Sequence, residues 1–215
     1  MRERILAAAV EVIRARGIVA ATTKEIARSA GVSEGSLYNH FANKTALFAA
    51  ALGEVTGTAR TAMTTLHQSA GHGSVEENLV RLVADMVRFY GELLPMTGPV
   101  LADPELIAWL RDDGPAKAQQ EAPAAPARSG GAAAGPVMGH AALLGYLETE
   151  RRAGRLKDDA PLPFLATALL GGCLQHAFMT RLAGPEVVAM GAQLPRTPEE
   201  FAARLVPAVL AGHLP

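Results

Sequence analysis

The sequence contains few of the residues that favour β-sheets. Aromatic residues make up only 5% of the 215 positions, and long β-branched runs are missing. Alanine and leucine are abundant instead, and hydrophobic residues reach 49%. This balance favours helices and supplies enough apolar surface for a buried core. The composition therefore predicts an all-α protein.

Signals for secretion, membrane insertion and disulfide formation are also scarce. The single cysteine, Cys173, cannot form an internal disulfide. Its apolar neighbours predict a buried structural thiol, with a redox-sensing thiol as the alternative. No signal-type segment opens the sequence, and we expect no run long enough to cross a bilayer. These absences predict a cytoplasmic protein with no membrane partner.

Motifs that carry catalysis or hold cofactors are missing as well. The sequence has no Gly-rich phosphate loop, no nucleophile elbow and no His/Cys/Asp cluster at metal-ligand spacing. His67 and His72 lie five residues apart across a Gly-rich turn, which fits a solvated loop better than a metal site. We therefore expect no enzyme activity, no cofactor and no bound metal.

Charge is divided unevenly along the chain. Residues 1–52 hold seven basic and four acidic side chains, so they carry a net charge of +3 and the remainder carries −4. A basic head on an acidic body is typical of a phosphate-binding module attached to a domain that does not bind phosphate.

The head begins with two predicted helices. Apolar residues recur at helical spacing from Arg2 to Arg16, and Gly17 can supply a left-handed C-terminal cap. Thr22 and Glu25 have the spacing of a capping box, which predicts that a second helix starts there and runs through Ala30.

A short third helix follows after a glycine turn at Gly31. Ser33 is a suitable N-cap for a helix over residues 34–41, and Asn43 is suitable for a fourth helix that starts at Lys44. Two short helices separated by about three residues with a glycine between them predict a helix-turn-helix unit.

The third helix is more polar than a helix that only packs in a core. In a major groove, Ser36 and Asn39 could read base edges, and Gly35 would allow a close backbone approach. Further side chains could donate to flanking phosphates, namely Thr23, Tyr38, His40 and Lys44. Plainer interpretations are a half-buried packing residue for Tyr38, a surface histidine for His40 and a solvated charge for Lys44.

Residues 4–52 resemble the DNA-binding domain of the TetR family of transcriptional regulators. The resemblance rests on Thr23, Ala27, Gly31 and the stretch "YNHFANK". It implies a homodimer that binds double-stranded DNA and whose body responds to a small molecule. Because one short helix makes few contacts, two heads on a two-fold axis would read a palindromic operator. The resemblance also implies two sets of DNA-binding residues: phosphate contacts from Thr23, Tyr38, His40 and Lys44, and positions closest to the bases at Lys24, Ser33, Ser36 and Asn39.

The sequence starts directly in the first predicted helix, with no basic arm for the minor groove. We therefore expect readout of the major groove only, unless the native start lies upstream.

The body is predicted to be a larger helical domain. We divide the chain into a DNA-binding domain over 1–48 and a ligand-binding and dimerisation domain over 49–215. Amphipathic or buried helices are predicted near 45–69, 75–94, 100–112, 134–153, 161–183 and 197–213. The Ala/Pro/Gly-rich stretch 114–136 is predicted to be a loop.

The last two helices are the predicted dimer interface, because both are rich in apolar residues and could form a four-helix bundle with a second copy. The predicted interface residues are Leu165, Leu169, Gly172, His176, Phe201, Leu205 and Val209. The alternative is that these helices are buried within one chain.

A pocket for a small apolar or aromatic effector is predicted between the middle helices. Its candidate residues are Met86, Phe89, Tyr90, Trp109, Met138, Tyr146, Gln175, His176 and Phe178. Effector binding would shift the population toward a conformation with wrongly spaced heads and so release a repressor from DNA. The rival hypothesis is a ligand-independent DNA-binding protein of the same fold that acts structurally or through a protein partner.

Overall fold

A computed structural model describes residues 1–97 and 135–215, and within these two ranges the regular structure is helical without strands. The predicted all-α class is confirmed. The helices are α1 (Arg2–Ala20), α2 (Thr23–Ser29), α3 (Glu34–Tyr38), α4 (Lys44–Gln68), α5 (Val75–Thr97), α6 (Gly135–Arg152), α7 (Leu162–Ala183), α8 (Pro185–Gly191) and α9 (Pro198–Leu210).

Some predictions fall on residues that the structure does not describe. The helix predicted over 100–112, Trp109 and nearly all of the loop predicted over 114–136 lie outside the described residues. In contrast, α8 was not predicted as a separate helix, and its start at Pro185 follows Gly184, whose φ is 84°.

The described residues form two compact units. The first comprises residues 1–57, 92–97 and 135–137, and the second comprises 58–91 and 138–215. The division into functional domains at 1–48 and 49–215 stays a prediction.

In the first unit, α1 packs on α2 and α2 packs on α3. Ile5 and Ile13 of α1, Ile26 of α2 and Leu37 of α3 are all 0% exposed, so one small apolar core holds the three helices. Gly17 does not form the predicted left-handed cap. Its φ of 78° and ψ of 161° make a kink, after which α1 continues for one turn. Residues other than glycine rarely adopt this backbone conformation, because it is sterically strained for them.

The caps and the turn of the helix-turn-helix unit are confirmed. The Thr22 side chain accepts a hydrogen bond from the Glu25 N–H, and the Glu25 carboxylate accepts one from the Thr22 N–H. Gly31 has a φ of 63°, which favours glycine in the turn. Ser33 caps α3 through the Ser36 N–H at 3.1 Å. The helix ends at Tyr38, three residues before the predicted end.

In the second unit, α7 packs against α8 and α9. A Cβ atom added to Gly172 would lie 2.9 Å from Cδ2 of Leu205 on α9, so this glycine permits close packing within one chain. Cys173 is 0% exposed, its thiol donates to the Val83 carbonyl at 3.6 Å, and burial raises its pKa to about 12. The prediction of a buried structural thiol is confirmed.

The expectation that no segment is long enough to cross a bilayer is wrong for α7. This helix has 22 residues and a mean hydropathy of 1.4, which meet the length and composition of a spanning helix. Of that window, 44% is buried inside the protein. Core helices of globular proteins meet the same criteria, so length and hydropathy alone do not assign α7 to a membrane.

A buried carboxylate ties the loop before α5 to the end of α6. Glu150 is 0% exposed and accepts hydrogen bonds from the Gly71 N–H at 3.1 Å and from Nε of Arg155 at 2.5 Å. Arg155 also donates to the Gly73 carbonyl at 2.7 Å. Burial raises the pKa of the Glu150 carboxyl, but the hydrogen bonds from Arg155 and Gly71 outweigh burial and hold its pKa below the usual value of 4.5.

Replacing this carboxylate is expected to lower stability in a pH-dependent way. Because the folded-state pKa of Glu150 is lowered, its contribution is complete above the unfolded value of 4.5 and is lost as the pH falls through the lower folded value. At neutral pH, Glu150→Gln should lose stability near the lower end of about 3 to 5 kcal/mol, because the Arg155 partner is partly solvated. The gap to wild type should narrow below about pH 4.5. Urea unfolding at several pH values measures both effects.

The matched control lies on the same helix. Glu148 pairs with Arg152 at 3.5 Å on the surface, so Glu148→Gln should change stability by less than about 1 kcal/mol. Equal losses for the two variants, or a gap for Glu150→Gln that does not depend on pH, would contradict this account of the network.

Candidate nucleic-acid interface

The helix α3 is buried on one side and exposed on the other. Leu37 is 0% exposed and Phe41, just beyond the helix, is 3% exposed, so these two side chains anchor the segment in the first unit. Among the predicted DNA-binding residues of this segment, Ser36 is half-buried. The others are exposed to solvent: Ser33, Gly35, Tyr38, Asn39 and His40. The structure thus places the predicted base-reading positions of this segment on its solvent-facing side.

Thr23 is placed differently from the other predicted phosphate contacts. It is only 8% exposed, and its hydroxyl donates to Oε1 of Glu34 at 2.6 Å. The Tyr38 hydroxyl donates in turn to Oγ1 of Thr23 at 3.4 Å. Tyr38 itself is 43% exposed, so it combines a contact to α2 with a large solvent-facing surface. These contacts join the start of α2 to both ends of α3 through side chains.

Basic groups surround this surface. Lys44 is exposed at the first residue of α4, with its ammonium 5.0 Å from the centre of the Phe48 ring, and Lys24 is exposed in the first turn of α2. The guanidinium of Arg2 lies 4.9 Å from the centre of the Phe41 ring. Such cation–π contacts orient long basic side chains without neutralising their charge. The surface can therefore attract anions while offering hydroxyl and amide groups for hydrogen bonds.

One acidic group near this region is engaged by neighbouring residues. Glu25 completes the capping box with Thr22 and forms a 2.6 Å ion pair with Arg16 of α1. The hydrogen bond from the Thr22 side chain and the charge of Arg16 outweigh desolvation and lower the pKa of the Glu25 carboxyl. Glu25 stays ionised and joins α1 to α2.

The predicted effector residues in the described part of the chain differ in their burial. Met86, Phe89, Tyr146 and His176 are buried, and Tyr90 is half-buried. Three candidates lie on the surface: Met138 is 60% exposed, Phe178 is 52% exposed and Gln175 is also exposed. The assignment of these residues, with Trp109, to one effector pocket stays a prediction.

The buried candidates already have partners within the second unit. The Tyr146 hydroxyl accepts a hydrogen bond from Nδ2 of Asn78 at 3.2 Å, and burial raises its pKa to about 12. His176 lies 4.2 Å from the Phe201 ring and hydrogen-bonds through Nε2 to the Pro195 carbonyl at 2.8 Å. The ring centres of Phe89 and Tyr90 are 5.2 Å apart. Burial, and to a smaller extent the electrostatic interaction with Cys173, raises the pKa of the Tyr90 hydroxyl to about 12.

An open depression lies elsewhere in the second unit. Its volume is about 560 Å³, and its lining includes Ser74, Glu77, Gly154 and Arg155. None of the predicted effector residues lines it. Sequence reasoning could not find this depression, because it lies between the loop before α5 and the residues after α6, which are distant in the chain.

The predicted dimer residues mostly face the interior of the single chain. Leu165, Leu169, His176 and Phe201 are buried, with exposed fractions of 5% or less. Gly172, Leu205 and Val209 are half-buried. Of the four buried residues, His176 of α7 lies against Phe201 of α9 within the same chain. The assignment of the seven residues to a dimer interface stays a prediction.

The opposite face of α7 exposes large apolar side chains instead. Phe164 is 74% exposed, Leu174 41%, Phe178 52% and Leu182 77%. We call this set, together with the exposed Gly171, the α7 outer stripe. Sequence reasoning missed the stripe because α7 is apolar nearly all round, so periodicity could not show which face is turned inward. It also missed Glu34, because its contact with Thr23 depends on how α2 and α3 cross.

The N-terminal part of the chain is similar to known sequences. Residues 5–51 match the sequence profile described as "Bacterial regulatory proteins, tetR family". A curated relative from Pseudomonas putida, the uncharacterized HTH-type transcriptional regulator TtgW, is 47% identical over 51 residues. This alignment covers 24% of the chain, which spans about 38% of the length of that relative.

Solved structures extend the likeness of the fold to the whole chain. A TetR-family protein from Mesorhizobium loti superposes with a TM-score of 0.68 at 18% identity, covering 100% of this chain and 96% of that one. SmeT, the repressor of a Stenotrophomonas maltophilia multidrug efflux pump, gives 0.62 at 20% identity, with coverages of 100% and 91%. FadR from Bacillus subtilis, solved with stearoyl-CoA, gives 0.57 at 16% identity, with coverages of 99% and 99%.

At these identities the solved structures show the fold alone, whereas the profile match covers the helix-turn-helix unit itself. Residues 5–51 are therefore similar to the DNA-binding region of the TetR family of bacterial regulatory proteins, and the chain shares the fold of solved TetR-family structures.

Proposed function

We propose that this protein is a homodimeric transcriptional repressor that leaves a palindromic operator when a small apolar or aromatic molecule binds. The observation that carries this proposal is the polar surface around α3, which Leu37 and Phe41 anchor in the core while Asn39 is exposed and Ser36 is half-buried. An operator on the chromosome places the protein in the cytoplasm. The expectations that it is no enzyme and needs no cofactor or metal belong to the same proposal.

Sequence is read by Ser36 and Asn39, and position on the duplex is set by phosphate contacts. The amide of Asn39 can form two hydrogen bonds with adenine, and the Ser36 hydroxyl can meet several bases. Lys24, Ser33 and Gly35 lie at or close to the bases, while Thr23, Tyr38, His40 and Lys44 contact the backbone. Support comes from the exposure of these residues other than Thr23 and Ser36, and from their convergence around α3.

Selection of genomic DNA fragments by the purified protein tests this assignment. Wild type should enrich a palindrome, and Asn39→Ala should relax preference at one base pair per half-site by about 1 to 3 kcal/mol. Tyr38→Ala should weaken binding to all sequences. Gln68→Ala removes an exposed amide at the end of α4 and should leave the preference unchanged. Enrichment of no fragment, even at low salt where phosphate contacts are strongest, would refute DNA reading by this surface.

Dimerisation is proposed to use the α7 outer stripe. A single short helix offers few base contacts, whereas two heads related by symmetry can read half-sites about 34 to 36 Å apart. Large apolar side chains exposed together on one helix mark an interaction surface. Gly171 lies in this stripe, and a Cβ atom added there would meet no heavy atom of the described residues within 4 Å. A second copy of α7 can therefore approach closely at this glycine.

Charge placed in the stripe should separate the subunits. Leu182 is 77% exposed, so Leu182→Asp should fold normally but leave an unpaired charge in the interface of the dimer. Sedimentation velocity should show monomers at concentrations where wild type is dimeric. Met138→Asp changes an apolar residue of similar exposure, 60%, outside the stripe and should remain dimeric. A dimer that survives Leu182→Asp and Phe178→Asp would place the interface elsewhere.

The effector is proposed to contact α5 around Phe89 and Tyr90. Tyr90 is half-buried beside Phe89, so an apolar or aromatic molecule could extend this aromatic pair at the edge of the second-unit core. Two proteins of the same fold suggest which compounds to test. SmeT is the repressor of a multidrug efflux pump, and the FadR structure contains stearoyl-CoA. Those descriptions suggest aromatic and long aliphatic compounds as probes.

Titration of a protein–operator complex with stearoyl-CoA and a panel of aromatic compounds tests effector control. At least one compound should weaken DNA binding about tenfold. This corresponds to the compound binding the DNA-free conformation more favourably than the DNA-bound one by about 1.4 kcal/mol. Tyr90→Ala, with its melting temperature checked, should require a higher concentration of that compound. Operator binding that responds to no compound in the panel would favour the ligand-independent regulator instead.

A further inference from the structure

The hydroxyls of Thr23 and Tyr38 are both committed within the protein. Each hydroxyl carries one proton, and Thr23 gives its proton to Glu34 at 2.6 Å while Tyr38 gives its proton to Thr23 at 3.4 Å. The chain of donors therefore ends on a carboxylate. While Glu34 accepts from Thr23, the Thr23 hydroxyl cannot donate to a phosphate.

Glu34 also brings a negative charge to the surface proposed to face DNA. It lies in the first turn of α3, one residue after the Ser33 cap and two before Ser36, and it is exposed. A carboxylate repels every phosphate regardless of sequence, so it weakens the electrostatic component of binding that all duplexes share. A carboxylate that weakens binding to every duplex raises specificity only if the correct sequence offers a contact that offsets this loss of affinity.

The major groove contains groups that can compensate. A carboxylate accepts a hydrogen bond from the exocyclic N4 amino group of cytosine, and residues near the start of a recognition helix are those that reach base edges. If the Glu34 side chain turns away from Thr23 to accept from such an amino group, the hydroxyl of Thr23 becomes free to donate to a phosphate. One contact would then satisfy the carboxylate and release a backbone contact at the same time.

We propose that Glu34 is a specificity-determining residue, whose carboxylate accepts from a cytosine amino group in each half-site and otherwise remains bound to Thr23 as a penalty on non-cognate DNA. This inference rests on the proposed DNA-binding function. It assigns to an acidic residue the discrimination that Ser36 and Asn39 alone would otherwise supply.

Binding of Glu34→Gln to the selected palindrome and to a random duplex of the same length tests the inference. The amide removes the charge while keeping the size of the side chain. Binding to the random duplex should become tighter and binding to the palindrome weaker, so the ratio of the two dissociation constants should fall at least about tenfold. Repeated selection should lose preference for one C·G pair per half-site. Glu34→Asp, which retains the charge on a shorter side chain, should keep weak binding to the random duplex but bind the palindrome less tightly.

Glu11→Gln is the control, because it makes the same change of net charge at an exposed position on α1. It should shift binding to both duplexes by a similar factor and leave their ratio unchanged. If wild type selects a palindrome but Glu34→Gln keeps both the ratio and the C·G preference, the role of Glu34 is refuted while the proposed function stands. If wild type selects no palindrome, both fail.

Discussion

One-sided burial of a very short helix is the constraint on which the proposed DNA-binding surface depends. Only Leu37 and Phe41 anchor the segment from Ser33 to Lys44 in the core, and α3 itself has five residues. So short a helix has little stability of its own. The Ser33 cap, the positive φ of Gly31 and the side-chain contacts to α2 supply the order that helix length cannot. The polar face is thereby held in position with few of its own side chains buried.

The second unit uses a different means of holding distant segments together. Glu150 is a buried charge that accepts from Arg155 and from the backbone of Gly71, so it joins the end of α6 to the loop before α5. Nearby, Nδ2 of Asn78 lies within hydrogen-bond distance of the Ser69 and His72 carbonyls and of the Tyr146 hydroxyl, which share its two hydrogens. Polar contacts therefore fix a loop whose glycines would otherwise leave it many conformations. This accounts for ordered geometry where the sequence alone shows only a glycine-rich turn.

Local chemistry made the first unit readable from the sequence. The capping box at Thr22, the turn at Gly31 and the caps at Ser33 and Asn43 act over three or four residues, so their spacing predicts the helix starts directly. The sequence predicted an unusual backbone conformation at Gly17. It could not predict that this conformation is a kink within α1 and not a C-terminal cap, because glycine can adopt both.

Features that depend on packing were beyond the sequence. The inner and outer faces of α7 could not be distinguished, because both are apolar, and His176 was assigned to two sites although the structure buries it against Phe201. The contact between Thr23 and Glu34 likewise depends on the crossing of two helices. A pattern along one helix shows which residues share a face, but not which other segment meets that face.

The neighbouring glycines of α7 face different surroundings. Gly172 is set against Leu205 of the same chain, while Gly171 faces open space in the outer stripe. A larger side chain at 172 would meet the protein's own atoms, so its effect would be the same in a dilute and a concentrated solution. At 171 no described atom of the same chain would oppose a larger side chain, so in the proposed dimer its effect would grow with protein concentration. Two adjacent positions of one residue type would thus differ in whether the abundance of the protein in the cell alters the outcome of a mutation.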